Sequence, residues 1–335
     1  MRESGIEVGE RRVLITSAFL RPDDEADRAL RAHGFTTIHA PLRAPRGDGE
    51  LRSLLDGVVA VIAGSDRFDA KTLDEASDLR VIARTGVGYD SIDTAAATRR
   101  GIAVCNAPGV NRDAVAELAL TFILMLARRV PEAMRSVRNG GWVRPTGTQL
   151  AGSVLGIIGL GAIGRRLAEH ASALGMRIIA HDPFADEQYA AANDVRLLAM
   201  ESVLAEADFV SLHIALTPET RHLIGKEALG LMKPTSYLIN TARGAVVDEA
   251  ALLEALREGS IAGAALDVVE EEPLSLSSAL REHPKAFVTA HIGGSTSQAR
   301  EESARVAVES VAEVLNGGTP HNVVNPDYVS HLASI

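Results

Sequence analysis

From Val154 to Asp182 the chain passes through a short apolar run, three glycines, an amphipathic stretch and a second apolar run, and ends on a carboxylate. Val154–Ile158 is rich in branched aliphatic residues and reads as a strand buried on both faces of a parallel sheet. Gly159, Gly161 and Gly164 follow it at the G-x-G-x-x-G spacing. The first permits a tight turn, the second leaves room for a close ligand, and the third lets the next helix lie against the strand. That helix, predicted from Ala162 to about Leu174, would aim its unpaired N–H groups at an anion. A second strand, Arg177–His181, delivers Asp182 to where a carboxylate can accept hydrogen bonds from ribose hydroxyls. Strand, glycines, helix, strand and acid in this order indicate a dinucleotide site, whereas isolated glycines would only mark turns. Asp182-Pro183-Phe184-Ala185-Asp186 carries two acids and no cation for a 2′-phosphate, so NAD(H) is expected over NADP(H).

With 335 residues the chain is long enough for two domains of ordinary size. A net charge of -10 and the lack of a basic block argue against a nucleic-acid surface. The single Cys105 allows no internal disulfide and no thiol cluster, so no metal site is expected. Met1–Arg12 is charged and lacks an apolar signal core. Leu118–Ala127, the longest strongly apolar run, is too short to span a bilayer. These readings predict a cytoplasmic protein with no membrane contact.

Short β-rich runs at Val13–Thr16, Thr36–His39, Val58–Ala63, Val81–Ala83 and Ile102–Val104 alternate with helical segments, the pattern of a parallel sheet with covering helices. A long helix is predicted over Asp113–Arg129. It is apolar on most faces, which predicts burial between domains or between subunits. Pro131–Gly152 is polar, contains Gly and Pro, and carries the only tryptophan, Trp142. A second series of strands comprises Val154–Ile158, Arg177–His181, Phe209–Ile214, Tyr237–Asn240, Ala262–Asp267 and Ala286–Ala290. A last helix is expected over Gln298–Leu315. The two halves could form one long sheet, but the fresh start at Val154 favours two domains.

Ligands of open parallel sheets bind at the carboxyl ends of strands. Three consecutive strand ends present an arginine, an acid and a histidine. Arg243 follows Tyr237–Asn240, Asp267 and Glu270-Glu271-Glu272 follow the next strand, and His291 follows the last. A guanidinium can grip a carboxylate with two parallel hydrogen bonds and polarise a carbonyl. An imidazolium can protonate an oxygen as hydride reaches carbon, and a nearby carboxylate keeps it charged. Alone, Arg243 would read as a surface arginine, the acidic run as a solvated loop and His291 as a capping or packing residue. Together, beside a dinucleotide fingerprint, they point to hydride transfer. His213, ending Phe209–Ile214, reads equally as a crevice-lining or a packing residue.

From about Val58 to Pro326 the chain resembles the NAD-dependent D-isomer-specific 2-hydroxyacid dehydrogenases, nearest the phosphoglycerate-dehydrogenase-like members. The motifs that carry this are Arg84-Thr85-Gly86-Val87-Gly88-Tyr89-Asp90 with Ile92-Asp93, Ala114-Val115-Ala116-Glu117, the glycine fingerprint with Asp182, and Leu216-Thr217-Pro218-Glu219-Thr220. Asn240–Gly244, Asp267–Pro273 and His291–Thr296 complete the set. The resemblance implies two doubly wound parallel-sheet α/β domains: a Rossmann NAD-binding domain over 109–298, and a flavodoxin-like substrate domain over 1–108 and 299–335. It implies catalysis by Arg243, Glu272 and His291, with Glu270 and Glu271 as bystanders. Substrate carboxylate would be held by Arg243 and by the backbone N–H groups of Val87 and Gly88. NAD would contact Gly159, Gly161, Ala162, Ile163, Gly164, Asp182, Ile214, Thr241, Ala242, Arg243, Asp267, His291 and Gly293, with Asp267 on the nicotinamide amide. The substrate would be a small 2-oxoacid or 2-hydroxyacid, in a cleft between domains, and the assembly a homodimer joined through the cofactor domain.

Three departures narrow this. Phosphoglycerate dehydrogenases carry an arginine for the substrate phosphate near Gly64, where this chain reads Ala63-Gly64-Ser65-Asp66. The chain ends at Ile335 without the serine-sensing domain of many such enzymes, and both features argue against phosphoglycerate. Glu272 stands where formate dehydrogenases of the superfamily have glutamine, which argues against formate. Ala215 replaces a frequent proline, a change expected to be tolerated. An NAD(H)-sensing corepressor of the same fold and a phosphite oxidase are the alternative readings.

Overall fold

The computed structural model describes residues 11–42, 46–47 and 49–334. Of the charged Met1–Arg12 stretch, only Arg11 and Arg12 fall within them, so the reading of that segment lies outside the described residues. The chain divides into two compact units, Met1–Asn111 with Thr296–Ile335, and Arg112–Ser295. The first holds five parallel strands: β1 (Arg12–Ile15), β2 (Thr36–His39), β3 (Val58–Ala63), β4 (Val81–Arg84) and β5 (Ala103–Cys105). Their order β2-β1-β3-β4-β5 is the flavodoxin-like arrangement. Apolar side chains cover both faces, and Ala304, Ala307, Val308 and Val311 of the helix Ser297–Leu315 return from the far end of the chain to pack on one of them.

The second unit has seven parallel strands: β6 (Val154–Ile158), β7 (Arg177–His181), β8 (Val195–Leu197), β9 (Phe209–Leu212), β10 (Tyr237–Asn240), β11 (Gly263–Leu266) and β12 (Ala286–Val288). They are ordered β12-β11-β10-β9-β6-β7-β8, the doubly wound arrangement of dinucleotide-binding folds. The order reverses between β6 and β9, so the loops that follow these two neighbouring strands flank the switch point. All residues of β6 are buried, as a strand covered on both faces requires.

Several expectations change. β8 has no counterpart in the strands read from the sequence. It is a three-residue edge strand beside β7, too short for a periodic signal. Phe209–Ile214 pairs only as far as Leu212, because His213 and Ile214 turn out over the glycine loop. Ala286–Ala290 likewise pairs only to Val288 before bending toward Asp267. The polar Pro131–Gly152 stretch contains a helix, Val130–Arg138, with proline at its start where a missing N–H costs nothing.

The apolar helix, Arg112–Ala127, is buried along one side by its own unit. Ala116, Ala119, Phe122, Ile123 and Leu126 lie in the core of its own unit with Leu155, Ile157 and Leu167. Leu124 of this helix is exposed, and further along so are Met134, Val137, Trp142 and Val143. Among the described residues no helix is long and apolar enough to cross a membrane.

The helix Ala162–Ala173 can start where it does only because residue 164 has no side chain. A Cβ there would lie 2.2 Å from the carbonyl oxygen of Gly159. We expect Gly164→Ala to push the helix off β6 and cost about 1–3 kcal/mol of stability, as overpacking does. Denaturant unfolding measures this directly. An unchanged midpoint would mean that the helix has room to spare.

Candidate active site

The glycine loop is built by crowding on one side and openness on the other. Gly159 has φ +97°, a region open to glycine, and a Cβ there would lie 2.7 Å from both His213 O and Ile214 Cγ2. Gly161 meets nothing within 4 Å. It caps the helix Ala162–Ala173 without any side-chain hydrogen bond, which leaves the first-turn N–H groups of Ala162 and Ile163 for an external acceptor. Asp182 Oδ2 accepts from Leu160 N at 2.8 Å, and its Oδ1 from Phe184 N at 2.8 Å. The carboxylate at the end of β7 therefore fixes the loop that follows β6.

Asp186 is less free than its sequence position implies. It caps the helix Glu187–Ala192 through Gln188 N and Tyr189 N, and Arg165 pairs with it at 3.4 Å. Arg165 also donates to Leu160 O and stacks on Tyr189.

The loop after β10 is held by a buried side chain that the sequence reading quoted only as part of a motif. Asn240 donates to Arg243 O at 2.9 Å and accepts from Ala242 N at 3.0 Å. This fixes the backbone that presents Arg243, whose own Nη1 donates to Ala242 O at 2.7 Å. A Cβ at Gly244 would lie 1.9 Å from the backbone of Val269, so the arginine loop and the acidic loop touch directly. Thr241 is buried and its Oγ1 lacks a hydrogen-bond partner among the described residues. A buried hydroxyl of this kind calls for a partner from outside the chain.

His291 and Glu272 meet at Nδ1–Oε2 2.8 Å, and Glu272 Oε1 also accepts from Val269 N at 3.3 Å. The hydrogen bond to Glu272 raises the His291 pKa above the ordinary imidazole value, against the opposing effect of burial. Burial pushes the Glu272 pKa up, but the hydrogen bond and charge of His291, the Val269 N–H and the Arg243 charge together outweigh it and leave the carboxyl below its usual range. Arg243 is close enough that its charge opposes protonation of His291 and favours ionised Glu272. The three side chains share one local field. Glu270 turns elsewhere: it accepts from Glu249 N at 2.9 Å and lies 3.3 Å from His222.

His291 sits at φ +54°, an unfavourable backbone region for a residue with a Cβ. Asp267 holds it there. Its carbonyl accepts from His291 N at 2.8 Å. Its buried carboxylate accepts from Thr289 Oγ1, Ile292 N and Gly293 N at 2.6, 2.8 and 2.7 Å. The sequence signal for this role was available: a buried acid ending one strand, and glycine two residues past the histidine.

His213 follows β9 and its carbonyl lies against Gly159 of the glycine loop. Its Nε2 is 2.9 Å from Ser211 Oγ, and burial pushes its pKa down to about 4. Cys105 is buried, which pushes its thiol up to about 12 and leaves it unreactive. Val87 and Gly88 lie in the other unit, in the loop that follows β4.

The open face of Gly161, the unpaired helix start, the carboxylate of Asp182 at the end of β7 and the unpartnered Thr241 hydroxyl fit a bound NAD(H), which when present donates or accepts hydride. The arrangement can anchor an anionic substrate at a cation and exchange a proton with it.

Comparisons with known proteins agree. The family model for "D-isomer specific 2-hydroxyacid dehydrogenase, NAD binding domain" matches residues 120–293. A glyoxylate reductase from Thermococcus litoralis is 43% identical over 289 residues, covering 82% of this chain and 85% of that protein. A D-3-phosphoglycerate dehydrogenase from Methanocaldococcus jannaschii is 41% identical over 278 residues, covering 82% of this chain; the chain spans only 53% of that longer relative. A crystal structure of a protein from Thermus thermophilus matches with a TM-score of 0.85 and 42% identity, over 93% of this chain and 99% of that one. With its two parallel-sheet units and an NAD-binding domain matched over 120–293, the chain belongs to the D-isomer specific 2-hydroxyacid dehydrogenase family.

Proposed function

We propose that the chain is an NAD(H)-dependent oxidoreductase that interconverts a small, unphosphorylated 2-oxoacid and its D-2-hydroxyacid. The observation that carries this reading is the 2.8 Å contact between His291 and Glu272 beside Arg243. In reduction, hydride adds to C2 and the carbonyl π pair moves onto oxygen, which takes the Nε2 proton of His291. Glu272 favours the charged imidazolium before transfer. Arg243 grips the substrate carboxylate and polarises the carbonyl. An ionised carboxylate offers about four acceptor sites, and three on Asp267 are taken by protein donors. The remaining one would receive the nicotinamide amide.

The absence of an arginine at Gly64-Ser65-Asp66 supports a substrate without phosphate, of the glyoxylate or hydroxypyruvate kind. Asp66 is buried and its charge already meets Arg46 at 2.7 Å. We further propose a homodimer joined through the NAD-binding unit, supported by the exposed apolar side chains between Val130 and Val143, and a cytoplasmic location. The reading is tested by following NADH consumption with glyoxylate, hydroxypyruvate, pyruvate, bulkier 2-oxoacids and 3-phosphohydroxypyruvate. No turnover of any of them would reject it.

Three expected outcomes follow from the site. NADH is preferred over NADPH in kcat/KM, and Asp182→Ala narrows the gap mainly by weakening NADH use, since it also frees Leu160 N–H. Equal values in the wild type would remove Asp182 as the selector. Arg243→Lys keeps the charge but loses the planar fork. It raises KM for the oxoacid and lowers kcat while NADH binding changes little; an unaltered kcat/KM for the oxoacid would take Arg243 out of the site.

The third outcome concerns the proton. Loss of a general acid costs about 10²–10⁴-fold in rate, and His291→Ala should lower kcat on that order with NADH binding retained. Reduction needs protonated His291, so its rate falls as pH rises through the His291 pKa, which Glu272 holds above the ordinary value. Glu272→Gln removes that support and moves the fall to lower pH. Superimposable kcat/KM–pH profiles for the wild type and Glu272→Gln would exclude Glu272 as the partner.

A further inference from the structure

Three consecutive carbonyls in the loop after β4 are each tied to a donor. Gly86 O accepts from Ala107 N at 3.0 Å, Val87 O from Asn106 Nδ2 at 2.8 Å, and Gly88 O from Arg84 Nε at 3.0 Å. In a trans peptide the C=O of one residue and the N–H of the next point in opposite directions across a rigid plane. Tying Gly86 O therefore aims the Val87 N–H away from Ala107, and tying Val87 O aims the Gly88 N–H away from Asn106. Neither N–H has a hydrogen-bond partner among the described residues. Two adjacent donors are thus turned outward together, which is how backbone makes a seat for an anion.

The two tethers differ in kind. Ala107 contributes a backbone N–H, which any residue but proline would supply. Asn106 contributes a side chain, and its own position is locked at both backbone groups. Asn106 N donates to Asn322 O at 3.2 Å, and Asn322 Nδ2 donates to Asn106 O at 2.6 Å. Asn322 is buried and its amide reaches Ser310 Oγ at 2.9 Å, on the helix Ser297–Leu315. A bridge between Cys105 and Val323 runs alongside. The C-terminal segment thereby fixes the residue that orients the loop.

We infer that Asn106, held by Asn322, is a positioning residue for substrate binding: it orients the Val87–Gly88 peptide so that the Gly88 N–H donates to the carboxylate of the 2-oxoacid. This rests on the functional reading above. Asn106 touches neither substrate nor cofactor; it sets the direction of a donor that does. Removing it frees one peptide plane to rotate, and weakens the grip on the carboxylate wherever that grip counts.

The test compares the wild type with Asn106→Ala in steady-state reduction of the preferred 2-oxoacid, with oxamate as a competing carboxylate. We expect KM for the oxoacid and the inhibition constant of oxamate both to rise roughly tenfold, the loss that one hydrogen bond to a charged group gives. KM for NADH and kcat at saturating oxoacid should stay within about twofold. A purely structural role would instead lower the amount of active protein, and so apparent kcat, with both KM values and the oxamate constant unchanged; that result overturns the proposal. Should Asn106→Ala not accumulate as folded protein, Asn106→Asp keeps the shape, replaces the amide donor by an acceptor facing Val87 O, and carries the same comparison. Lack of turnover by the wild type would overturn the functional reading, and the role of Asn106 with it. Turnover by the wild type with unaltered oxoacid KM in a folded variant would overturn the role of Asn106 alone.

Discussion

The carboxylate of Asp267 is the contact on which the edge that carries His291 and Glu272 depends. A buried ionised acid is costly unless donors surround it, and here the donors are Thr289 Oγ1, Ile292 N and Gly293 N. Satisfying the acid forces the chain after β12 to fold back over the end of β11. That fold places His291 at a positive φ, a conformation that persists only when its surroundings dictate it. Glu272 then arrives from the loop that leaves the same strand end, and the 2.8 Å contact follows from the two paths rather than from any affinity of the free side chains.

The other constraints on this edge are of the same type, a close approach tolerated because a side chain is missing. Gly244 lets the Arg243 loop touch the backbone of Val269, and Gly159 lets the β6 loop pass beneath His213 and Ile214. In both cases neighbouring strands of one parallel sheet deliver loops to the same edge, so the loops compete for space. Asn240 and Asp182 then supply side-chain partners to the loop backbones that no ladder can satisfy. The result is an edge whose Arg243 and glycine loops sit on short turns held by side-chain hydrogen bonds.

The first unit uses the same device with a longer reach. Its sheet ends in the Arg84–Asp90 loop, whose carbonyls are held by Arg84, Asn106 and Ala107. Asn106 is braced by Asn322, more than two hundred positions later. The return of the Ser297–Leu315 helix onto this sheet brings that brace into place. A segment that would read as a polar tail therefore takes part in shaping a loop near the middle of the unit.

Much of this was legible in residue order. The glycine spacing with its flanking strands, the acid at the end of β7, and the Arg, acid and His at consecutive strand ends are local patterns. Each depends on a few neighbouring residues, and a parallel sheet puts all strand ends on one edge, so their meeting could be anticipated. Tertiary structure alone decided the rest. Which of Glu270, Glu271 and Glu272 faces the histidine depends on how the loop turns after Val269, and the sequence supported Glu272 only by resemblance. The apolar helix Arg112–Ala127 looked like an interface because apolarity reports burial but not what covers it; its own unit covers most of it. The edge strand β8 is too brief to show periodicity, and the Asn106–Asn322 brace joins residues that no local pattern links. Hydrophobic period and turn chemistry are short-ranged and can be read along the chain. Hydrogen-bond partners of buried polar groups are chosen in space, by which elements the sheet order brings side by side.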